Sequence, residues 1–390
     1  MLRLFDTRTQ QVAPVEPAHR GSLRIYTCGP TTYRAAHVGD LRSYLLADLI
    51  RRTAERAQLL VTSGQDITDA RLADGAEPDP DGAEPGRAGR RRHEAAFRAD
   101  CAALNVRPAD SMPRASESIE PMIELISKLL ETGHAYLTPA GSVYFDARSF
   151  PSYGELSGNR LAQHTDWVLW QAAPAGQGLT WMGPWGTGIP GWHTECSAMS
   201  LHDLGDPIDV HTGGIGLRFP HHENVRAQSD SVTGHEVVRN WVHGGQVRFE
   251  GQKMASSTGT VVLLGDLAGR GLDPLALRLA FAEYPYRQEI DLTWTALETA
   301  DATVRRWRQR VAEWANSPSR PMCAHYVADF LGAFDDDLNT PAALRVLRAL
   351  EEDSEIPPGS KFETFAYADQ LLALDLARDI GRAPVPPARP

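Results

Sequence analysis

Cysteine is scarce in this chain and never clustered: it stands at 28, 101, 196 and 323, with no Cys-x-x-Cys pair. That spacing excludes a disulfide framework and suits a reducing compartment, so a cytoplasmic protein is expected. Long apolar runs are also missing. None would span a bilayer, and the opening Met1-Leu2-Arg3-Leu4-Phe5-Asp6 lacks the sustained hydrophobicity of a signal peptide. Positive charge is in deficit, with 39 Lys and Arg against 50 Asp and Glu and a net charge of −11. Broad adhesion to nucleic acid is thereby disfavoured, although a local basic face remains open. Nor is there a repeat architecture. Asp-Gly-Ala-Glu-Pro occurs at 74–78 and 81–85, before an Arg-rich run at 87–92, but two short copies cannot stack into a solenoid. Residues 73–90 read as a polar, mobile loop, and the Arg run as a solvated face. What remains is the composition of a soluble globular protein, and 390 residues imply two or three domains.

The most informative stretch lies near the start. Leu23-Arg24-Ile25-Tyr26 is short, apolar and β-rich, and reads as a buried strand. Gly29-Pro30 breaks it. From Leu41 to Arg52, apolar residues at 41, 45, 46, 49 and 50 predict a helix. Strand, turn and helix make the first crossover of a parallel α/β sheet, whose turn offers backbone N–H groups and a positive helix end to a phosphate. His37 and Gly39 stand at that helix start. Leu59 to Ser63 predicts the second strand, running into Gln65-Asp66-Ile67-Thr68-Asp69.

Residues 93–136 carry helical periodicity, with Met122, Ile123, Leu125, Ile126, Leu129 and Leu130 on one face. Gly141 to Asp146 and Tyr153-Gly154-Glu155-Leu156-Ser157-Gly158 follow, and Pro and Gly accumulate over 173–191. Then come Gly191-Trp192-His193-Thr194-Glu195-Cys196, Asp209-Val210-His211-Thr212-Gly213-Gly214 and Phe219-Pro220-His221-His222-Glu223-Asn224. Trp241-Val242-His243-Gly244-Gly245-Gln246-Val247 leads to Lys253-Met254-Ala255-Ser256-Ser257. Beyond about 300 the pattern is helical, with Asn339 or Thr340 as a cap.

Cys28-Gly29-Pro30-Thr31, with His37, Gly39 and the later motifs in this order, resembles the cysteinyl-tRNA synthetases, a family of class I aminoacyl-tRNA synthetases. The resemblance covers roughly 20–380. It implies an α/β fold: a class I synthetase Rossmann-like parallel sheet split by an inserted domain and followed by a helical bundle. The expected boundaries are 1–110 and 191–265 for the two catalytic halves, the second with the lysine loop, and 111–190 for the connective insert. Residues 266–383 would form a linking region and bundle, and 384–390 a Pro-rich tail. The family's anticodon-binding module is expected to be absent.

Site residues follow from the same resemblance. Cys28, Cys196 and His221 fall on the family's zinc positions, with an open place on the metal for a substrate thiolate. Singly, each reads better as a buried thiol or a satisfied core histidine, and it is the three on matching motifs that favour zinc. The family's fourth ligand, a Glu, is Val225 here, and Glu223 would replace it only if the backbone differed locally. That change is similar to another branch, the cysteine ligase of mycothiol biosynthesis. For ATP, Gly29, Pro30, Thr31, His37, Gly39, Val247 and Lys253 are the expected binding residues. His37, Asp40, Lys253 and Ser256 occupy the catalytic positions. There the family's second His has become Asp40 and its second Lys Ser256, so the phosphate site loses positive charge unless Asp40 recruits Mg²⁺. Cys28, Thr68, Trp192 and His211 would line the amino-acid pocket, while the Asp that pairs with the substrate ammonium is Gly216.

The function implied is ATP-dependent activation of cysteine, or a close thiol analogue, as an aminoacyl adenylate. The expected acceptor is a small-molecule amine or carrier. The alternatives are a compact cysteine–tRNA ligase and a catalytically weak binding paralogue. No membrane partner is expected, and the chain would be a monomer or homodimer.

Overall fold

A computed structural model describes residues 1–70, 87–158, 165–173, 179–254 and 260–382. The doubled Asp-Gly-Ala-Glu-Pro segment, Ser256 and the Pro-rich tail lie outside the described residues.

The centre of the molecule is a four-stranded sheet of β3 (Ser22–Thr27), β4 (Leu60–Gln65), β10 (Ile208–Gly214) and β11 (Val238–Gly244). The strands lie in the order β11-β10-β3-β4, parallel throughout. The chain leaves β3 for β4 on one side, while β10 and β11 add on the other. The strand order therefore reverses between β3 and β10, and in such sheets ligands bind beyond the carboxyl ends at that reversal. Cys28 directly follows β3, and its N–H donates to Thr212 O at 3.3 Å.

Both faces of the sheet are covered. Leu23 and Ile25 pack against Val38, Leu41 and Leu45 of α1 (Val38–Arg56). Tyr26 faces the other way, into a core holding Cys28, Cys196, Val225 and Trp241. That second core is closed by α4 (Trp192–Leu204) and α5 (Glu223–Thr233).

Helix α1 is longer at both ends than its apolar spacing predicts. It begins at Val38 because His37 and Asp40 form a reciprocal cap, and it runs on to Arg56 with Thr53 and Ala54 buried. The helical region expected over 93–136 is two helices, α2 (Arg87–Ala103) and α3 (Ile119–Glu131). Between them lie Pro108 and Pro113, and this segment runs beside β4 instead. Asp110 accepts from Ser63 N at 2.8 Å, and Ser111 bridges Gly64.

A five-stranded antiparallel sheet is built from residues 135–190, with Phe145, Tyr153 and Trp167 stacked beneath it. After β11, a short sheet of β12 (Val247–Phe249), β13 (Gln252–Lys253) and β14 (Ile290–Leu292) carries Lys253. Helices then pack around Trp307, Val311, Leu347 and Phe365. Of the two cap candidates, Asn339 is the one that caps α10 (Thr340–Glu352), accepting from Ala342 N at 3.2 Å.

Candidate active site

The turn after β3 is locked before any ligand arrives. A Cβ at Gly29 would meet Asp66 O at 1.4 Å, so only glycine fits. The buried Asp66 carboxylate accepts from Gly29 N at 3.0 Å, from Tyr26 OH at 3.1 Å and from Thr68 Oγ1 at 3.0 Å. Thr68 N donates to Pro30 O, and Thr32 N to Thr68 O, both at 3.1 Å. Cys28 is thus held at the reversal point by the neighbouring strand's end. Thr68 is buried with its hydroxyl engaged, behind the wall of the cleft rather than on it.

The three expected zinc ligands, far apart in sequence, meet here. Cys28 Sγ lies 3.8 Å from Cys196 Sγ and 3.5 Å from His221 Nε2. Ordinary Zn–S and Zn–N bonds at tetrahedral angles give edges of about 3.8 Å between two sulfurs and about 3.6 Å between sulfur and nitrogen. The observed spacings match both. The other nitrogen of His221, Nδ1, is 2.9 Å from His193 Nδ1, the outer-shell partner that aims a ligating imidazole. A second grouping shares Cys28 with His211 and His222, at 3.4 Å and 3.1 Å. Its shorter edge is too tight for a tetrahedral site, and one thiolate is softer company for zinc than none but poorer than two. The residues present therefore fit zinc at Cys28, Cys196 and His221.

Burial drives His221 and His222 well below the usual imidazole range, and His211 to about 3, so these rings are neutral, as ligands must be. Burial also raises the Cys28 thiol, and the hydrogen bond shared with Cys28, with burial, raises Cys196. A bound dication inverts that preference and favours thiolate.

Val225 is 1% exposed and packs in the same core as both cysteines. Glu223 does not stand in for the missing carboxylate. It is fully buried, accepting from Ser157 N at 2.7 Å and Arg226 Nη1 at 3.2 Å. His211, expected at the substrate, lies in the floor, stacked on Trp241 at 4.6 Å with its Nε2 towards Cys28. Sequence reasoning missed the layer below. His222 Nδ1 is 2.8 Å from His243 Nε2, and His243 Nδ1 is 2.8 Å from Thr7 Oγ1. These come from three separate segments, and only the repeated His in His221-His222 hinted at them.

Above this floor opens a cleft of ≈310 Å³. It is lined by Cys28, Gly29, Pro30 and Thr31 from the turn after β3, by His37, Gly39 and Asp40 around the start of α1, by Trp192 and Gly216, and by Val247 and Lys253. The expected nucleotide residues are thus brought together. A Cβ at Gly39 would meet Met254 Cε at 2.6 Å, so the bare backbone lets the lysine-bearing segment dock on the start of α1. His37 Nδ1 accepts from Asp40 N at 3.1 Å, and burial holds the ring below its usual pKa. The neutral ring then carries its proton on Nε2, a donor for a phosphate oxygen. Asp40 is not a bare carboxylate. Its Oδ2 accepts from His37 N at 2.9 Å and from Arg34 Nη1 at 2.6 Å, and its Oδ1 from Arg34 Nη2 at 3.3 Å. Those ties compete with a metal ion at Asp40.

A switch-point cleft over a parallel sheet, with a histidine-capped helix start and a lysine-bearing segment docked against it, is the arrangement of a class I aminoacyl-tRNA synthetase. The chain belongs to the family described as tRNA synthetases class I (C) catalytic domain, whose model matches residues 14–302. It is 40% identical to the cysteine–tRNA ligase of Thermus thermophilus, over 95% of this chain and 84% of that protein. The cysteine–tRNA ligase of Salinibacter ruber is 39% identical over 95% and 83%. In fold the chain is similar to a methionyl-tRNA synthetase of Mycobacterium tuberculosis bound by methionyl-adenylate, with a TM-score of 0.65, 15% identity and 90% of each chain covered. The enzyme class expected from the sequence, a synthetase-like ligase, stands. No helix among the described residues is long and apolar enough to cross a membrane.

Proposed function

We propose that this chain activates cysteine with Mg·ATP and transfers it to tRNA. The observation that carries the reading is the Cys28, Cys196 and His221 cluster, with both edges from Cys28 at tetrahedral spacing and Cys28 itself lining a cleft that also holds His37 and Lys253. The relatives favour the tRNA acceptor over the small amine first expected. The argument for the small acceptor rested on overall acidity, on the expected absence of an anticodon-binding module and on the altered pocket at Gly216, and overall acidity does not constrain a local binding surface.

Cys28, Cys196 and His221 would hold zinc, which supplies a soft site for the substrate thiolate and so separates cysteine from serine. The substrate carboxylate attacks the α-phosphorus of ATP. A carboxyl O–P bond forms, the bridge to the β-phosphate breaks, and pyrophosphate leaves. No side chain acts as nucleophile, so the protein contributes positioning and charge stabilisation. His37 donates from Nε2, Lys253 brings a positive charge, and the start of α1 adds its dipole. Residues 111–190 are assigned as the connective insert and 191–265 as the returning half of the catalytic unit.

Cysteine-dependent ATP–pyrophosphate exchange, followed by charging of cysteine tRNA, tests this. Exchange and charging together are the expected result. Exchange without charging would return the acceptor to a small molecule. No exchange with any thiol amino acid would leave a binding paralogue.

A further inference from the structure

We propose that Arg34 is a binding residue for the polyphosphate of ATP, kept folded against Asp40 until the nucleotide displaces it. The inference rests on the reading above only in taking the cleft as an ATP site. Among the described residues that line the cleft, Arg34 and Lys253 are the two permanent cations and Asp40 is the one carboxylate. The lysine segment, Lys253-Met254-Ala255-Ser256-Ser257, brings a single lysine. Lysine is rare in the whole chain, present only at 128, 253 and 361, and arginine carries almost all positive charge. A second cation at the phosphates would accordingly be an arginine, and Arg34 is the one in place.

The pairing itself argues that Arg34 is held rather than consumed. Its guanidinium meets both oxygens of Asp40, and the two side chains are 31% and 29% exposed, so the pair stays within reach of a ligand in the cleft that both residues line. The helix cap does not need it, because Asp40 already accepts from His37 N. A planar fork that fits one carboxylate fits a phosphate equally well, and a polyphosphate carries more negative charge than Asp40. Exchange of partners is therefore downhill when ATP enters. Asp40 then stays on His37 N, and the cap survives.

A purely structural Arg34 would make the opposite forecast. Calorimetric titration of the full chain with Mg·ATP and with AMP separates the two. Arg34→Ala should weaken ATP about tenfold or more, since a charge-assisted hydrogen bond is lost, and leave AMP unchanged. Asp40→Asn keeps an amide oxygen for His37 N while releasing the fork, so ATP should bind several-fold tighter. Arg34→Lys should fall between wild type and Arg34→Ala. Equal losses for ATP and AMP in Arg34→Ala, or weaker ATP binding in both Arg34→Ala and Asp40→Asn, would mean Arg34 only supports the loop. Unchanged ATP affinity in Arg34→Ala likewise ends the proposal. Wild type that fails to bind ATP at all removes the synthetase reading and this inference together, which distinguishes the two failures.

Discussion

The two ends of the cleft are built on opposite principles. At the floor, Cys28, Cys196 and His221 are buried, neutral and fixed by packing, with His193 behind His221 and the His222, His243 and Thr7 chain beside it. At the phosphate end, Arg34, Asp40 and Lys253 are partly or fully exposed and charged. The difference follows from what each end must recognise. A thiolate is singled out from a hydroxyl by a soft metal, which needs donors set to a few tenths of an ångström. A polyphosphate is recognised by charge, which acts over longer distances and accepts exchange of one cation for another. At the floor Val225 packs in the apolar core, which under the proposed reading leaves three ligands. At the other end Arg34 is the proposed second cation beside Lys253.

The largest effect is expected at the floor. Cys196→Ser replaces a soft donor by a weakly binding hydroxyl, and zinc content should fall from about one per chain to almost none. Cysteine-dependent exchange should vanish with it. Metal analysis of carefully prepared wild type that finds no zinc would make the two ends alike and sink the selection argument. At the phosphate end, Lys253→Ala should lower the rate of adenylation roughly a hundredfold or more while changing KM for ATP much less. The charge it opposes grows in the transition state, so kcat carries the loss. A KM effect as large as the kcat effect would show that Lys253 binds the ground state instead.

Much of this was legible in the chain. Apolar spacing located β3, α1 and β4, because buried parallel strands and an amphipathic helix leave strong periodic signals. The family resemblance picked out the three donors at 28, 196 and 221 that meet in space. Three features escaped. The break between α2 and α3 is decided by Pro108, Pro113 and the edge of β4, which override helical periodicity. The Arg34–Asp40 pair spans a turn with no fixed spacing rule, so two charges that look independent in sequence are one contact. The histidine layer joins segments more than twenty residues apart, and no local pattern reports such a meeting.

The smallest effect is expected between the two ends, at Gly216. The resemblance places the family's carboxylate for the substrate ammonium at this position, and a Cβ built at this exposed glycine meets nothing within 4 Å. Gly216→Asp should therefore fold normally. An exposed ion pair contributes only about 0.2–1 kcal/mol, so KM for cysteine should fall about two- to fivefold. The ammonium keeps its charge throughout adenylation, so the new contact is equally strong in ground and transition states, and kcat should not move. Serine carries the same ammonium, and its KM should fall in the same ratio. Discrimination between cysteine and serine would then be unchanged, as it must be if the thiol is read at Cys28, Cys196 and His221 and nowhere else. A gain for cysteine alone would mean that position 216 also senses the side chain, and the division of labour between floor and wall would have to be redrawn.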